Sequence, residues 1–174
     1  MSRLTPPVSE SDHRSGPDDA LVTLVEYGDF ECPSCGAAYP HVEEVRRRMG
    51  ARLRFVYRYF PLTQMHPHAM HAAEAAEAAG AQGKFWQMYK MLFEHQDALE
   101  DADLVQYAKL LHLESKRFAS ELTSEAHVKR IREDIRSGIR SGVNGTPTFF
   151  INGVRYDGSW EASDLLAELE AAAA

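Results

Sequence analysis

Leu21-Val22-Thr23-Leu24-Val25-Glu26-Tyr27-Gly28-Asp29-Phe30-Glu31-Cys32-Pro33-Ser34-Cys35 is the stretch on which the reading of this chain turns. Leu21 to Tyr27 is a nearly continuous aliphatic and β-branched run, the pattern of a strand covered on both faces. A helical pattern follows from Pro33 to Met49, with Gly50 as its stop. Cys32 and Cys35 are the only cysteines in 174 residues, and they sit where strand gives way to helix. Proline is favoured at the first helical position, where its missing N–H would have had no partner, so Cys32 falls at the N-cap. The free amides of Ser34 and Cys35 then point toward the Cys32 sulfur, and with the positive helix end they favour thiolate over thiol. Cys35 lies one turn on, on the same face and within reach of a bridge. Cys32 is therefore the expected nucleophile and Cys35 the resolving thiol, with Pro33 and Ser34 as the dipeptide between them.

Working outward, Arg52 to Phe60 alternates in part and is rich in aromatics, which predicts a second strand. Strand, helix and strand with short connections predict a parallel pair in an α/β sheet. From about Pro67 to Arg140 the pattern is helical only: His68 to Ala79 stopped by Gly80, Lys84 to His95, Ala102 to Leu113, Ser115 to Leu122, and Glu125 to Arg140. Strand signals then return. Thr148 to Ile151, Asn152-Gly153 and Val154 to Tyr156 predict a hairpin, since Asn-Gly supplies the positive φ angles of a two-residue turn. Trp160 to Ala173 reads as a closing amphipathic helix.

Two further groups stand out. Glu26 ends an apolar strand shortly before Cys32; it is either an ordinary surface carboxylate or a partly buried acid that exchanges a proton with Cys35. Asp29 and Glu31 are nearer in sequence and are expected to be exposed, their charge partly opposing a thiolate at Cys32. Pro147, in Gly145-Thr146-Pro147-Thr148, opens a strand, one of the few places a sheet accepts proline. The residues alone leave its peptide bond trans by default.

The chain is long enough for one domain with a substantial core. Its net charge of −7 argues against general nucleic-acid binding. No stretch approaches the roughly 18–20 apolar residues needed to span a bilayer. The polar N-terminus lacks the apolar segment of a secretory signal, so a cytoplasmic location is expected. Two cysteines make no disulfide framework, and the pair calls for a local explanation.

The stretches Glu26 to Cys35 and Gly142 to Gly153 together resemble the DsbA-like thiol–disulfide oxidoreductases of the thioredoxin superfamily. His66-Pro67-His68-Ala69 and Lys84-Phe85-Trp86 are similar in character, and the likeness extends over roughly residues 13–171. It implies an α/β, thioredoxin-like fold with a central mixed β-sheet and an inserted all-helical block. Residues 1–19 would be a flexible N-terminal arm, 20–64 the first part of the thioredoxin-like domain, 65–141 the helical insertion, and 142–174 the second part. The resemblance also implies a cis Pro147 packed beside the cysteines, with Thr146 and Pro147 offering backbone to an extended substrate. Glu26 matches the family's buried acid, and Pro40 a proline that interrupts the active-site helix. Implied too are an enzyme exchanging disulfides with protein, peptide or small-molecule thiols, an unidentified redox partner, and no metal or organic cofactor beyond the Cys32–Cys35 disulfide. Ser34 departs from the histidine of DsbA itself. A serine carries no charge, so a milder couple is expected, between about −270 and about −120 mV.

Two other classes compete. Cys32 and Cys35 with His66, His68 or His71 are a candidate zinc set, although no second cysteine pair completes the usual pattern. Phe85, Trp86, Tyr89, Met65, Met70, Met88 and Met91 are a candidate groove of a peptide-binding or chaperone-like module, or simply the core of the helical block. The basic run from His127 to Arg140 is broken by Glu133 and Asp134 and reads as a solvated helix face.

Overall fold

The computed structural model describes residues 2–174. The elements, in chain order, are β1 (His13–Ser15), β2 (Val22–Gly28), α1 (Pro33–Met49), β3 (Leu53–Tyr59), α2 (Ala69–Ala81), α3 (Phe85–Glu94), α4 (Asp101–Leu110), α5 (Ser115–Thr123), α6 (Val128–Arg140), β4 (Thr148–Ile151), β5 (Val154–Tyr156) and α7 (Ala162–Ala173). Five strands form one mixed sheet in the order β1-β3-β2-β4-β5. Only β2 and β3 run parallel, as strand, helix and strand require.

Both faces of the sheet are covered, and the strand period of two decides which residue faces which layer. Val22 and Leu24, with Phe55, Tyr57, Tyr59 and Phe149, join a large core with residues of α1 to α5 and α7. Val25 and Tyr27, with Val56 and Phe150, join a smaller core with Leu4, Phe60 and Val143. Glu26 pairs with Tyr57 and Phe149 across the ladder, so it shares the face under α1. On the opposite face α6 docks through polar contacts. Asp134 accepts the Tyr59 amide at 2.9 Å, and the Tyr27 and Ser137 hydroxyls are 2.7 Å apart. Gly138 lets α6 approach, since a Cβ there would stand 2.7 Å from the Phe60 ring.

Several boundaries depart from expectation. Strand β2 starts at Val22, leaving Leu21 62% exposed, and runs on through Gly28. Helix α2 passes through Gly80 to Ala81, because its buried alanine face outweighs the roughly 1 kcal/mol cost of an internal glycine. Helix α6 starts at Val128, not Glu125, because Glu125 takes a positive φ of 55° in the turn that ends α5. Asn152 and Gly153 both have positive φ, the geometry of the expected hairpin turn.

The N-terminal residues, expected to carry little structure, lie against the sheet. His13 to Ser15 pair with Phe55 to Tyr57, Arg3 bridges Val154, and the Leu4 amide donates to the Gly153 carbonyl. The buried pair Asp12–Arg58, at 2.8 Å, anchors the stretch between them. That ion pair joins residues 46 positions apart, a contact that no local pattern announces.

Candidate active site

Cys32 occupies the N-cap of α1 in an extended conformation, with Pro33 behind it in the first turn and no acidic side chain there. No side chain caps this end, so the amides of Ser34 and Cys35 are left for the Cys32 sulfur. Both cysteines are free thiols, Cys35 fully buried and Cys32 5% exposed. From β4's approach, the Thr146 carbonyl accepts a hydrogen bond from the Cys32 thiol at 3.6 Å. The Thr146–Pro147 peptide bond is cis, as the family resemblance implies.

The two thiols are driven apart in acidity. Cys32 is lowered to about 5, chiefly by a hydrogen bond from the Cys35 thiol. Burial opposes this, while the Thr146 side chain and the Cys35 and Ser34 amides assist it. Cys35 is pushed well above the ordinary thiol value by burial first, then by its bond to Cys32 and by the Glu26 charge. One thiol is thus poised as an anion and its neighbour held as a proton donor.

Glu26 is not a surface carboxylate: it is 2% exposed beneath α1. Burial first, then the Glu43 charge, raises its pKa to about 8, with Arg46 offsetting part of the shift. Arg46 is paired with Glu43 at 2.6 Å, and its guanidinium stacks over the rings of Phe55 and Trp86. The Tyr57 and Tyr89 hydroxyls lie buried in this neighbourhood without partners. The Tyr57 ring packs onto Gly28, where a Cβ would come within 2.6 Å of it.

Asp29 and Glu31 correct the expectation of exposure. Asp29 is buried because three donors converge on it: the Glu31 and Leu62 amides and the His66 ring. The Glu31 carboxylate accepts the His68 amide at 2.8 Å. Both carboxylates are therefore spent on holding the loop before Cys32. His66 is committed to Asp29 and His71 to Asp101, so the histidines weighed as zinc ligands do not converge on the cysteines. Among the described residues, no three His, Cys, Asp or Glu side chains are grouped to hold a metal ion. Phe85, Met88 and Tyr89 are core; Met70, Trp86 and Met91 pack partly buried against it, and Met65 alone of that set is largely exposed. Gln96, absent from the sequence reading, reaches the site from the turn between α3 and α4 and donates to the Phe30 and Cys32 carbonyls.

A family model described as thioredoxin matches residues 8–171. The fold is similar to BdbD from Bacillus subtilis, with a TM-score of 0.87 and 21% identity over 99% of this chain and 97% of that one. It is also similar to a thioredoxin-like oxidoreductase from Silicibacter pomeroyi, with a TM-score of 0.82 and 24% identity over 94% and 93% of the two chains. Among curated sequences, the Na(+)/H(+) antiporter NhaA 1 of Salinispora arenicola is 47% identical over 97% of this chain but only 26% of its own length. The chain thus spans about a quarter of the curated relatives it matches, and the antiporter name describes those longer proteins. No helix among the described residues is long and apolar enough to cross a membrane. Sequence and fold agree that the chain belongs to the thioredoxin family.

Proposed function

We propose that the chain is a thiol–disulfide oxidoreductase working through Cys32 and Cys35 on protein or peptide substrates. The observation that carries this reading is the geometry of the pair: two free thiols share the first turn of α1, Cys32 at the N-cap and 3.6 Å from the Thr146 carbonyl, Cys35 buried beside it, a placement that lowers the first thiol's pKa and raises the second's. In the reducing direction the Cys32 thiolate attacks one sulfur of a substrate disulfide. An S–S bond forms at Cys32, the substrate S–S bond breaks, and the other substrate sulfur leaves as thiolate. Cys35 then gives its proton to the Glu26 carboxylate and attacks the Cys32 sulfur. The Cys32–Cys35 disulfide forms, and the second substrate thiolate departs. Two electrons pass to the substrate, and the oxidising direction is the reverse. A redox partner restores the starting state, and the disulfide itself serves in place of a metal or organic cofactor.

Each role has a support. Glu26 gives up its own proton only from about pH 8 upward, which makes its carboxylate a strong enough base for a reluctant thiol. Thr146 and Pro147 border the sulfur, so an extended substrate segment laid along them brings its cysteine to Cys32. Pro33 and Ser34 are exposed at the same mouth and leave room for it.

Insulin reduction and oxidation of reduced ribonuclease, run on the chain and on Cys32→Ser, test the proposal. Activity in either assay that vanishes in the variant supports it. Inactivity in both, or activity kept by Cys32→Ser, overturns it.

A further inference from the structure

Gln96 stands in the turn joining α3 to α4, in the helical block and far from the cysteines in sequence. Its Nε2 donates to the Phe30 carbonyl and to the Cys32 carbonyl, each at 2.9 Å. Both acceptors are carbonyls, which fixes which end of the amide faces them. The amide lies on the bare Cα of Gly36: a Cβ there would collide with Gln96 Oε1. Gly36 has no positive φ, so its lack of a side chain is explained by this seat and not by its backbone. The Cys32 carbonyl also accepts the Gly36 amide at 3.0 Å, the bond that opens α1.

We propose that Gln96 is a positioning residue for Cys32: seated on Gly36, its amide pins the Phe30 and Cys32 carbonyls and so aims the Cys32 sulfur at the first amides of α1. The alignment matters because an amide–sulfur hydrogen bond weakens steeply as it bends. The segment from Asp29 to Cys32 is then clasped from two sides. The β3–α2 connection takes its carboxylates, through Leu62, His66 and His68, and the α3–α4 turn takes its carbonyls. A residue of the helical block thereby reaches the backbone of the reactive cysteine, so a shift of the α3–α4 turn is felt at the sulfur.

The inference rests on the reading of Cys32 as the reactive thiol. Its test is the Cys32 thiolate titration at 240 nm, which needs no substrate. Gln96→Met keeps the bulk and removes both donors; Gln96→Glu adds a charge facing two carbonyls; Gly36→Ala displaces the amide while leaving Gln96 in place. The expected result is an upward shift of about one pKa unit for Gln96→Met, the scale on which one hydrogen bond acts, and a larger one for Gln96→Glu. Gly36→Ala shifts it the same way, and Gly36→Ala with Gln96→Met shifts it no further than either alone. An unchanged titration in Gln96→Met overturns the inference, as do shifts that add in the double variant. A merely structural role would lower the unfolding midpoints of oxidised and reduced forms alike and leave the titration in place. If the unaltered chain shows no low-titrating thiol, the reading of Cys32 fails first, an outcome distinct from the others.

Discussion

The Cys32 sulfur donates to the Thr146 carbonyl at 3.6 Å, joining residues 114 positions apart. The turn that leads into β4, with Pro147, therefore meets the start of the cysteine helix at the reactive atom itself. As a thiolate the sulfur can no longer donate to that carbonyl and instead accepts from Cys35, the Thr146 side chain and the α1 amides. The balance of donors decides its acidity, and this is directly measurable.

Removing the Cys35 donor is expected to raise the Cys32 midpoint from about 5 by about one to two units in Cys35→Ala. Cys35→Ser, which keeps a hydroxyl donor, should leave it nearer the original value. Absorbance at 240 nm against pH checks both. Because the folded value lies below the unfolded one, the thiolate stabilises the reduced chain above about pH 9 and loses that contribution as pH falls through about 5. The reduced chain should accordingly lose unfolding free energy on acidification more steeply than Cys32→Ser.

Glu26 has the opposite linkage. Its folded pKa is raised from 4.5 to about 8, so the folded chain holds a proton that the unfolded chain has released across that window. Stability falls as pH rises from 4.5 to 8, and the cost persists above. Glu26→Gln is expected to flatten that slope and to be more stable at pH 9 by a few kcal/mol in urea unfolding. The same variant should slow resolution of the mixed disulfide about 10-fold or more while sparing the first attack by Cys32. Single-turnover kinetics separate the two steps, and an equal slowing of both would remove Glu26 from its assigned place.

A thiol lowered to about 5 lies between those of thioredoxin, near 7, and DsbA, near 3.5. The reduction potential should lie between the same two proteins, above about −270 mV and below about −120 mV. Equilibration with glutathione at several ratios measures it. A value at or above the DsbA end would show that Ser34 does not temper the couple.

Asp29→Ala strands three donors in a buried site, the Glu31 and Leu62 amides and the His66 ring. The expected loss is about 3 kcal/mol or more of unfolding free energy. Since the segment leads directly into Cys32, thiol titration should broaden or shift in the same variant. A change within about 0.5 kcal/mol, typical of surface sites, would contradict the burial described.

What was readable in the sequence was what local chemistry dictates. The N-cap place of Cys32 follows from Pro33, the hairpin from Asn152-Gly153, and the start and stop of α1 from Pro33 and Gly50. The mixed thioredoxin-like sheet was implied by the family resemblance that two motifs far apart carry. Other features depend on partners that no window contains. Asp29 reads as exposed until Leu62 and His66 arrive from beyond β3, and Gln96 carries no signal at all until the α3–α4 turn folds over Gly36. Gly80 and Glu125 show the converse: packing carried α2 past a glycine, while a left-handed turn residue cut α6 short.

The N-terminal arm has a consequence of another kind. An open sheet ends in two rows of unpaired amides and carbonyls, each a template on which a second chain can polymerise. Here β1 lies along the outer side of β3, while Ser2 to Leu4 line the outer side of β5. One short segment thus blunts both margins of the sheet. The arm guards the protein against self-association in β-form, and its loss should show as aggregation on storage before any loss of thiol chemistry.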